Sequence, residues 1–219
     1  MKHIALLTCV CGLMLLGSCK NQSAQNEQPL EVMTFNVRLD APSDSANNWK
    51  YRKDNVCQMI TYYQPDLLGM QEVRHNQMED LKQGLPQYTA LGVGRDDGKE
   101  AGEYCPIFFN SHRFTLVEYG NFSLSEQPET IGIKGWDASY NRITTWAILQ
   151  EKSNGKKLVF FNTHLDNDGE IARKEGVQLR HQPDQQSGHL QTCIHPLHLQ
   201  DPVIRCLLHQ TLNMLHNQM

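Results

Sequence analysis

Three hydrophobic runs in this chain each end in a polar side chain that can bind a metal ion or a phosphate group. The runs are VMTFNVR at 32–38, DLLGMQEV at 66–73 and LVFFNTHLD at 158–166. If the runs are strands, they present Asn36, Glu72 and His164 at their carboxyl ends, where one edge of a β-sandwich can bring them together. Hydrolysis of a phosphate ester needs oxygen ligands for a hard divalent cation, donors to the phosphoryl oxygens and an activated water.

Glu72 and Asn36 are the candidate metal-site residues. A carboxylate at the end of a buried strand suits a hard cation, although the same residue could be a solvated strand-end carboxylate. The amide of Asn36 could orient a phosphate oxygen or a metal-bound water, and the alternative is an ordinary turn-forming asparagine.

The candidate catalytic residues are His164, Glu103, Arg142 and Asp166. As an acid, His164 needs a carboxylate to keep it protonated, and Glu103 in GEYCPIFF could be that partner; a core histidine is the alternative. Asp166 shares a face with His164 if the strand continues. Arg142, which begins RITTWA, is placed to bind phosphate with two hydrogen bonds, unless it is a surface arginine.

Other residues near these motifs have less specific interpretations. Tyr104 and Trp136 are aromatic side chains that could pack in a core or form a shelf for the substrate. The GVGRDDG segment lacks the GK[ST] end of a phosphate loop, so residues 95–97 are predicted to form a solvated loop.

Hydrophobic periodicity predicts the elements that would position these residues. Strands are predicted at 30–37, 66–71, 88–93, 103–109, 114–123, 142–150 and 157–162, and helices at 49–63, 75–83 and from an N-cap at Asp168. The last two strands form the clearest hairpin, because the Asn154-Gly155 pair favours a tight turn.

Length, charge and cysteine content limit the function classes. A chain of 219 residues can form one domain, and its net charge of −4 does not favour long nucleic acid. The cysteines beyond residue 20 have neither zinc-site spacing nor a disulfide pattern, and Cys57 and Cys105 are predicted to be small core residues.

The first 29 residues indicate export. Residues 1–18 form a signal peptide, and the sequence Leu16-Gly17-Ser18-Cys19 resembles a bacterial lipobox, in which Cys19 becomes lipidated. An ordinary secretory peptide is the alternative. Residues 19–29 are predicted to be a flexible tether, which would place the protein on a membrane of the bacterial cell envelope.

The sequence changes character after residue 180. Residues 181–219 contain no Lys, Glu, Phe, Tyr, Trp or Ala, and Gln and His make up a third of them. Residues 204–215 could form a short amphipathic helix. This composition is typical of a stretch read in a shifted coding frame, so 181–219 are interpreted as an atypical tail.

Taken together, TFNVR, LLGMQEV, GEYCPIFF, WDASYNRITTWA and FFNTHLD resemble the endonuclease/exonuclease/phosphatase superfamily of deoxyribonuclease-I-like phosphoesterases. The resemblance implies an α+β fold, a four-layer α/β/β/α sandwich, whose N-terminal part would be residues 30–180. It also implies Mg²⁺ or Mn²⁺ at Glu72 and Asn36, Arg142 near the phosphate, and His164 as an acid oriented by Glu103.

Two family motifs are not present in the sequence. Neither a GDFN-like nor an SDH-like motif follows residue 180, although these position and activate the water in the family. The resemblance therefore implies a sandwich that is incomplete at its C-terminus and a monomeric phosphoester hydrolase of unknown substrate with impaired activity. The alternatives are a non-catalytic lipid-anchored protein that binds a phosphorylated ligand, and a non-functional pseudogene product.

Overall fold

The computed structural model describes residues 29–179, 191–193 and 204–209, with the backbone alone for the last two segments. The predicted signal peptide, the lipidated Cys19, nearly all of the tether and most of the atypical tail lie outside the described residues. The described part is built from two β-sheets and three α-helices.

The elements follow one another in a mixed order of strands and helices. The strands are β1 Leu30–Asn36, β2 Leu67–Gln71, β3 Tyr88–Leu91, β4 Ile107–Asn110, β5 Phe114–Ser123, β6 Ile143–Glu151, β7 Lys157–Thr163, β8 Gln191–Cys193 and β9 Ile204–His209. The helices are α1 Trp49–Tyr63, α2 His75–Gly84 and α3 Glu170–Leu179, and a short 3-10 helix spans Pro42–Asn47.

The first sheet has the strand order β3-β4-β2-β1-β9, and the second has the order β5-β6-β7-β8. In the first sheet β1 pairs in parallel with β2 and β9, whereas β4 pairs antiparallel with β2 and β3. In the second sheet β5, β6 and β7 are antiparallel, and β8 is parallel to β7. The carboxyl ends of β1 and β2 therefore lie side by side, as the positions of Asn36 and Glu72 require.

Helices α1 and α2 cover the outer face of the first sheet. Val56 and Ile60, one turn apart on α1, pack with Met33 and Leu68 of the sheet in one apolar core. Asn48 begins α1 by accepting a hydrogen bond from the backbone N–H of Lys50. The helix ends at a left-handed Gln64 just before Pro65.

A second apolar core fills the space between the two sheets. Strand residues alternate between the two cores, so that Val32 and Leu67 face the second sheet while their neighbours face the helices. Phe160 of β7 and Leu149 of β6 meet them from the opposite side. Helix α3 packs near the second sheet, where Gly176 lies against Leu124. The predicted α+β sandwich is confirmed.

Strand β8 and the 3-10 helix are not among the predicted elements, and three other elements differ from their predictions. Strand β4 begins at Ile107 and not at 103, because residues 103–106 pair only through isolated bridges. Asp168 does not cap α3: Asp137 accepts the N–H groups of Ile171 and Ala172 at 3.2 and 2.7 Å. Residues 204–209 form a strand and not a helix, because they pair in parallel with β1.

In the part of the chain that the structure describes, no helix combines the length and apolarity needed to cross a bilayer. Cys57 and Cys105 are free thiols, and Cys105 is buried. Burial raises the pKa of the Cys105 thiol to about 12, which agrees with its predicted role as a small core residue.

Candidate active site

Polar side chains replace apolar ones at the inward-facing positions where β1, β2 and β7 end. On β1, Leu30 and Val32 face the inter-sheet core, and Asn36 is on the same face of the strand. On β7, Phe160 is followed at the next inward position by Asn162. This change from apolar to polar residues forms the floor of the candidate site.

Asn36 and Glu72 are in direct contact at this edge. The Asn36 Nδ2 atom donates to Glu72 Oε1 at 2.7 Å, and the backbone N–H of Leu39 donates to Oε2 at 3.2 Å. The amide oxygen of Asn36 accepts from the backbone N–H of Arg38 at 2.8 Å. Asn36 therefore turns its nitrogen toward Glu72, so it positions the carboxylate and does not add its oxygen beside it as the sequence predicts.

The backbone at Glu72 is in the left-handed region, with a φ of 61°. This conformation is costly for a residue with a side chain and is common at functional positions. It lies directly after β2, where the N–H of Val37 still bonds to the Gln71 carbonyl. The turn thus places Glu72 next to β1 rather than further along β2.

His164 is half-buried just beyond β7. Its Nδ1 atom is buried and has no hydrogen-bond partner among the residues that the structure describes. Burial lowers the pKa of His164, and Arg142 lowers it further, while the Glu72 carboxylate opposes that shift. The imidazole is therefore neutral at neutral pH, which does not agree with a protonated acid.

Glu103 has a different partner from the predicted one. Its carboxylate accepts two hydrogen bonds from Arg95, at 2.8 and 3.0 Å, and both side chains are largely buried. The N–H of Arg95 also bonds to the Glu103 carbonyl, so the glycine-rich loop folds back on itself. The predicted Glu103–His164 pair is therefore not formed. Within the predicted solvated loop, Asp96 and Asp97 are exposed, whereas the Arg95 side chain is largely buried.

Arg142 and Asp166 form a buried ion pair. The Arg142 Nε atom donates to Asp166 at 3.1 Å, and Nη2 donates to Asn167 at 3.0 Å. Asp166 also accepts backbone N–H groups, among them those of Ser139 and Gly169. Burial alone would raise the pKa of Asp166, but these donors outweigh it and hold that pKa far below its usual range.

Asp166 therefore has a structural position. Strand β7 ends at Thr163, so the predicted sharing of a strand face with His164 does not apply. The carboxylate instead fixes the loop before β6 and the orientation of Arg142. A guanidinium held in this way near His164 can bind phosphoryl oxygens without losing much side-chain entropy.

Tyr140 brings two arginines together at the mouth of the site. Its ring centroid lies 5.4 Å from the guanidinium carbon of Arg95 and 5.5 Å from that of Arg142. The residue is 51% exposed. Sequence reasoning did not single out Tyr140; its position two residues before Arg142 was a usable signal.

The two aromatic residues left open by the sequence differ in exposure. Tyr104 is buried in the first core, and its hydroxyl lies 3.1 Å from Nδ1 of His75. Trp136 is half-buried, with a left-handed φ of 48°, and its backbone N–H donates to the carboxylate of Glu126. Tyr104 is thus a packing residue.

Sequence reasoning also missed a buried amide pair. Gln71 Nε2 donates to Asn162 Oδ1 at 2.8 Å, which links the end of β2 to the end of β7. A signal was present, because both residues occupy inward positions of buried strands where an apolar side chain is usual.

The side chains at the strand ends supply some, but not all, of the ligands that a divalent cation needs. Carboxylate oxygen is the preferred ligand type for Mg²⁺, and Glu72 supplies it at the mouth of the sandwich. Within the described ranges, no cluster of three or more His, Cys, Asp and Glu side chains could hold an ion. Glu72 is thus the fitting donor, and the remaining ligands would have to be water or substrate oxygens, while the Asn36 amide orients the carboxylate.

A separate open cavity of about 670 Å³ lies beside the 3-10 helix. Its lining contains none of the candidate site residues; it is formed by Pro42, Ser45, Ala46, Asn48, Lys50 and Tyr51.

Known proteins resemble this chain in both sequence and fold. A model described as the endonuclease/exonuclease/phosphatase family matches residues 33–205. The crystal structure of an endonuclease/exonuclease/phosphatase from Bacteroides vulgatus has a TM-score of 0.71 and 46% identity, over 73% of this chain and 61% of that chain. A mannosyl-6-phosphatase from Bacteroides thetaiotaomicron has a TM-score of 0.71 and 39% identity, over 74% and 62%.

Curated relatives are more distant and longer. The CCR4-Not complex 3'-5'-exoribonuclease subunit Ccr4 of Mycosarcoma maydis is 26% identical over 179 residues, which is 68% of this chain and 26% of that protein. Human Nocturnin is 26% identical over 158 residues, which is 63% of this chain and 34% of that protein. The chain thus spans about a third or less of the length of these relatives.

Proposed function

This chain belongs to the endonuclease/exonuclease/phosphatase family, and we propose that it is a divalent-metal-dependent phosphoester hydrolase whose turnover is strongly reduced. The observation that carries the proposal is the 2.7 Å contact between Asn36 and Glu72 at the strand ends. His164 and Arg142 lie close enough to this edge that Glu72 and Arg142 both influence the His164 pKa. Family members are hydrolases that act on phosphoester bonds. We therefore propose that the phosphoester binds at this edge of the sandwich.

Glu72 would hold the cation, Mg²⁺ or Mn²⁺, with help from the Asn36 amide. When bound, such an ion neutralises charge on the phosphoryl oxygens. Arg142 would bind the same oxygens with a guanidinium whose plane Asp166 and Asn167 fix. The neutral imidazole of His164 can donate one hydrogen bond to the substrate.

Reduced turnover follows from the way the carboxylates are used. Asp166 is committed to Arg142 and to backbone N–H groups, and its lowered pKa makes it a poor proton acceptor. Glu103 is committed to Arg95. General base catalysis contributes about 10²- to 10⁴-fold in rate, so loss of these two carboxylates as bases reduces hydrolysis more than it reduces binding.

We propose a phosphorylated sugar as the substrate class, because one of the more similar solved structures is a mannosyl-6-phosphatase. The mannosyl-6-phosphatase is 39% identical, whereas the exoribonuclease relative is 26% identical and the match covers a quarter of its length. The net charge of −4 also does not favour long nucleic acid. The second candidate function is binding of a phosphorylated ligand without turnover, favoured by the committed carboxylates.

We also propose that the protein is a monomer, anchored to a membrane of the bacterial cell envelope by a lipid on Cys19. The support is the Leu16-Gly17-Ser18-Cys19 sequence after an apolar run. In a bacterial host, wild-type protein should incorporate labelled palmitate and sediment with membranes. Cys19→Ser should do neither, and equal labelling of both forms would contradict the anchor.

Hydrolysis and metal binding test the main proposal together. We expect Mn²⁺ to bind in calorimetry, and slow release of nitrophenol from p-nitrophenyl phosphate and bis-p-nitrophenyl phosphate. Glu72→Gln should weaken the binding of Mn²⁺ and abolish residual turnover. Glu118→Gln, an exposed carboxylate on β5, is the matched control and should change neither.

The outcomes separate the two candidate functions. Binding of Mn²⁺ and mannose 6-phosphate without turnover would favour the non-catalytic role. Rapid turnover that Glu72→Gln abolishes would overturn the claim of reduced activity. No Mn²⁺ binding by the wild-type protein would overturn the metal site.

A further inference from the structure

We propose that Gln71 and Asn162 form a cross-sheet clamp that fixes Glu72 relative to His164, which makes Asn162 a positioning residue of this site. The inference rests on the proposed function, because it concerns the same edge of the sandwich. The clamp joins two residues 91 positions apart in the sequence, one from each sheet.

The amide of Asn162 uses all of its hydrogen-bonding groups. Its oxygen accepts from Gln71 Nε2 at 2.8 Å, and its nitrogen donates to the carbonyls of Met70 at 2.6 Å and Pro106 at 2.8 Å. Asn162 is 6% exposed and Gln71 is 9% exposed. A flipped amide would place its nitrogen against a donor and its oxygen against two carbonyls, so the geometry admits one orientation.

The clamp also fixes how closely the two sheets approach. A Cβ atom added to Gly69 would lie 2.7 Å from Asn162 Oδ1. Gly69 faces the second sheet from β2, on the same face as Leu67 and Gln71. Glycine at this position therefore lets the amide of Asn162 reach the backbone of β2.

Both site residues are attached directly to the clamp. Glu72 follows Gln71, and its left-handed backbone turns the chain immediately after the clamped residue. His164 is two residues beyond Asn162, next to the end of β7. A shift of either strand by a fraction of a residue would break the clamp and would change the separation of Glu72 and His164.

Directional hydrogen bonds are needed here because the neighbouring contacts are not directional. Leu67 and Phe160 lie deeper between the sheets, and apolar contacts of this kind tolerate small slides. Asn162 also supplies the donor that the buried carbonyls of Met70 and Pro106 accept, so leucine at both positions would leave backbone acceptors without that donor. The polar pair therefore serves stability as well as position.

The test uses the full chain and two ways of breaking the clamp. Asn162→Leu removes the amide, and Gly69→Ala pushes it away without altering it. Thr145→Val is the control, since Thr145 pairs with Asn162 across β6 and β7 but donates to Asn121 at 2.8 Å. The imidazole resonance of His164 is assigned by its loss in His164→Gln.

We expect both clamp variants to shift the His164 resonance in metal-free protein and to weaken Mn²⁺ binding by about 10- to 100-fold, the usual effect of residues that orient ligands. Thr145→Val should change neither. The double variant Gln71→Leu/Asn162→Leu should recover part of the melting temperature lost in Asn162→Leu, because it removes the buried Gln71 amide that lost its partner, while its Mn²⁺ affinity stays low. If the clamp were purely structural, the double variant would recover its melting temperature and its Mn²⁺ affinity together.

Two results would overturn the inference: an unshifted His164 resonance in both clamp variants, or unchanged Mn²⁺ affinity in a folded Asn162→Leu protein whose wild type binds the ion. If Asn162→Leu does not fold, Gly69→Ala decides by the same criteria. If the wild type binds no Mn²⁺, the proposed function fails, whereas the metal-free His164 resonance still reports on the clamp.

Discussion

Three carboxylates surround the candidate site, and each has a different set of partners. Glu72 shares its oxygens with one amide and one backbone N–H and lies at the mouth of the sandwich. Glu103 accepts hydrogen bonds from both terminal nitrogens of the Arg95 guanidinium. Asp166 is buried against Arg142 and backbone donors. Glu72 is therefore the carboxylate suited to a ligand, and the other two stabilise the loops around it.

Asp166→Asn should destabilise the protein by about 3–5 kcal/mol, because it leaves the buried Arg142 charge without its partner. Urea unfolding followed by tryptophan fluorescence measures this. Because the folded pKa of Asp166 is lowered, its stabilisation is complete above the unfolded pKa and is lost as the pH falls below about 4.

The control is Asp44→Asn, which breaks a surface pair with Arg38. We expect a much smaller effect there, since solvent screens that pair. Equal effects of the two substitutions would show that the Arg142–Asp166 pair is not a buried interaction.

His164 should make the protein less stable as the pH falls from 7 toward 5. Burial lowers its folded pKa below the ordinary 6.5, so the unfolded chain takes up a proton that the folded imidazole does not. One such group gives a slope of at most about 1.4 kcal/mol per pH unit. In His164→Gln, the free energy of unfolding should depend less on pH over this range.

His112→Gln is the matched control, because His112 is exposed at a turn. Unfolding curves at pH 5, 6 and 7 compare the three proteins. A pH dependence in His164→Gln as steep as in wild type would show that the imidazole is not held neutral by burial.

At the scale of elements, each strand of the sandwich supplies two different surfaces. Alternate residues of β1 and β2 pack under the helices, and the others pack against the second sheet. The inward set becomes polar only where the strands end, as at Gln71 and Asn162. The strands therefore build the core along most of their length and the site at their carboxyl ends.

Ile60→Ala should destabilise the protein by about 2–5 kcal/mol, because Ile60 is fully buried between α1 and the first sheet. Tyr62→Ala on the same helix is the control, since Tyr62 is 81% exposed. Chemical denaturation measures both. A cost for Tyr62→Ala that matched that of Ile60→Ala would mean that α1 packs through a different face.

At the scale of the whole molecule, the two sheets have edges that the last strands cover. β9 pairs with β1, and β8 pairs with β7. An uncovered β1 or β7 would expose unpaired backbone groups next to the inter-sheet core, and such edges promote association. The segments beyond α3 thus matter for solubility as well as for completion of the sheets.

Removal of residues 180–219 should therefore convert the protein into larger, less soluble species. Size-exclusion chromatography with light scattering measures the mass of each form. The control lacks residues 1–28 and should remain at the mass of one chain. A monomeric, soluble form ending at Leu179 would show that the β1 and β7 edges need no cover.

The sequence by itself determined the elements and the family, because both depend on local order. Alternation at period 2 and period 3.6 located β1 to β7 and the three α-helices to within a few residues, whereas β8 was not predicted and β9 was predicted as a helix. The order of the motifs from TFNVR to FFNTHLD indicated the family, and the family model that matches residues 33–205 confirms it. The position of Glu72 and Asn36 at neighbouring strand ends also followed from the sequence.

Only the tertiary structure decided which side chains became partners. The GVGRDDG loop folds back so that Arg95, and not His164, is the partner of Glu103. No local sequence pattern specifies this loop conformation. The loop after β7 turns Asp166 toward Arg142. The Gln71–Asn162 pair joins residues far apart in sequence. Such contacts depend on how the two sheets pack, because the same polar side chain can bond to any donor or acceptor brought within about 3 Å.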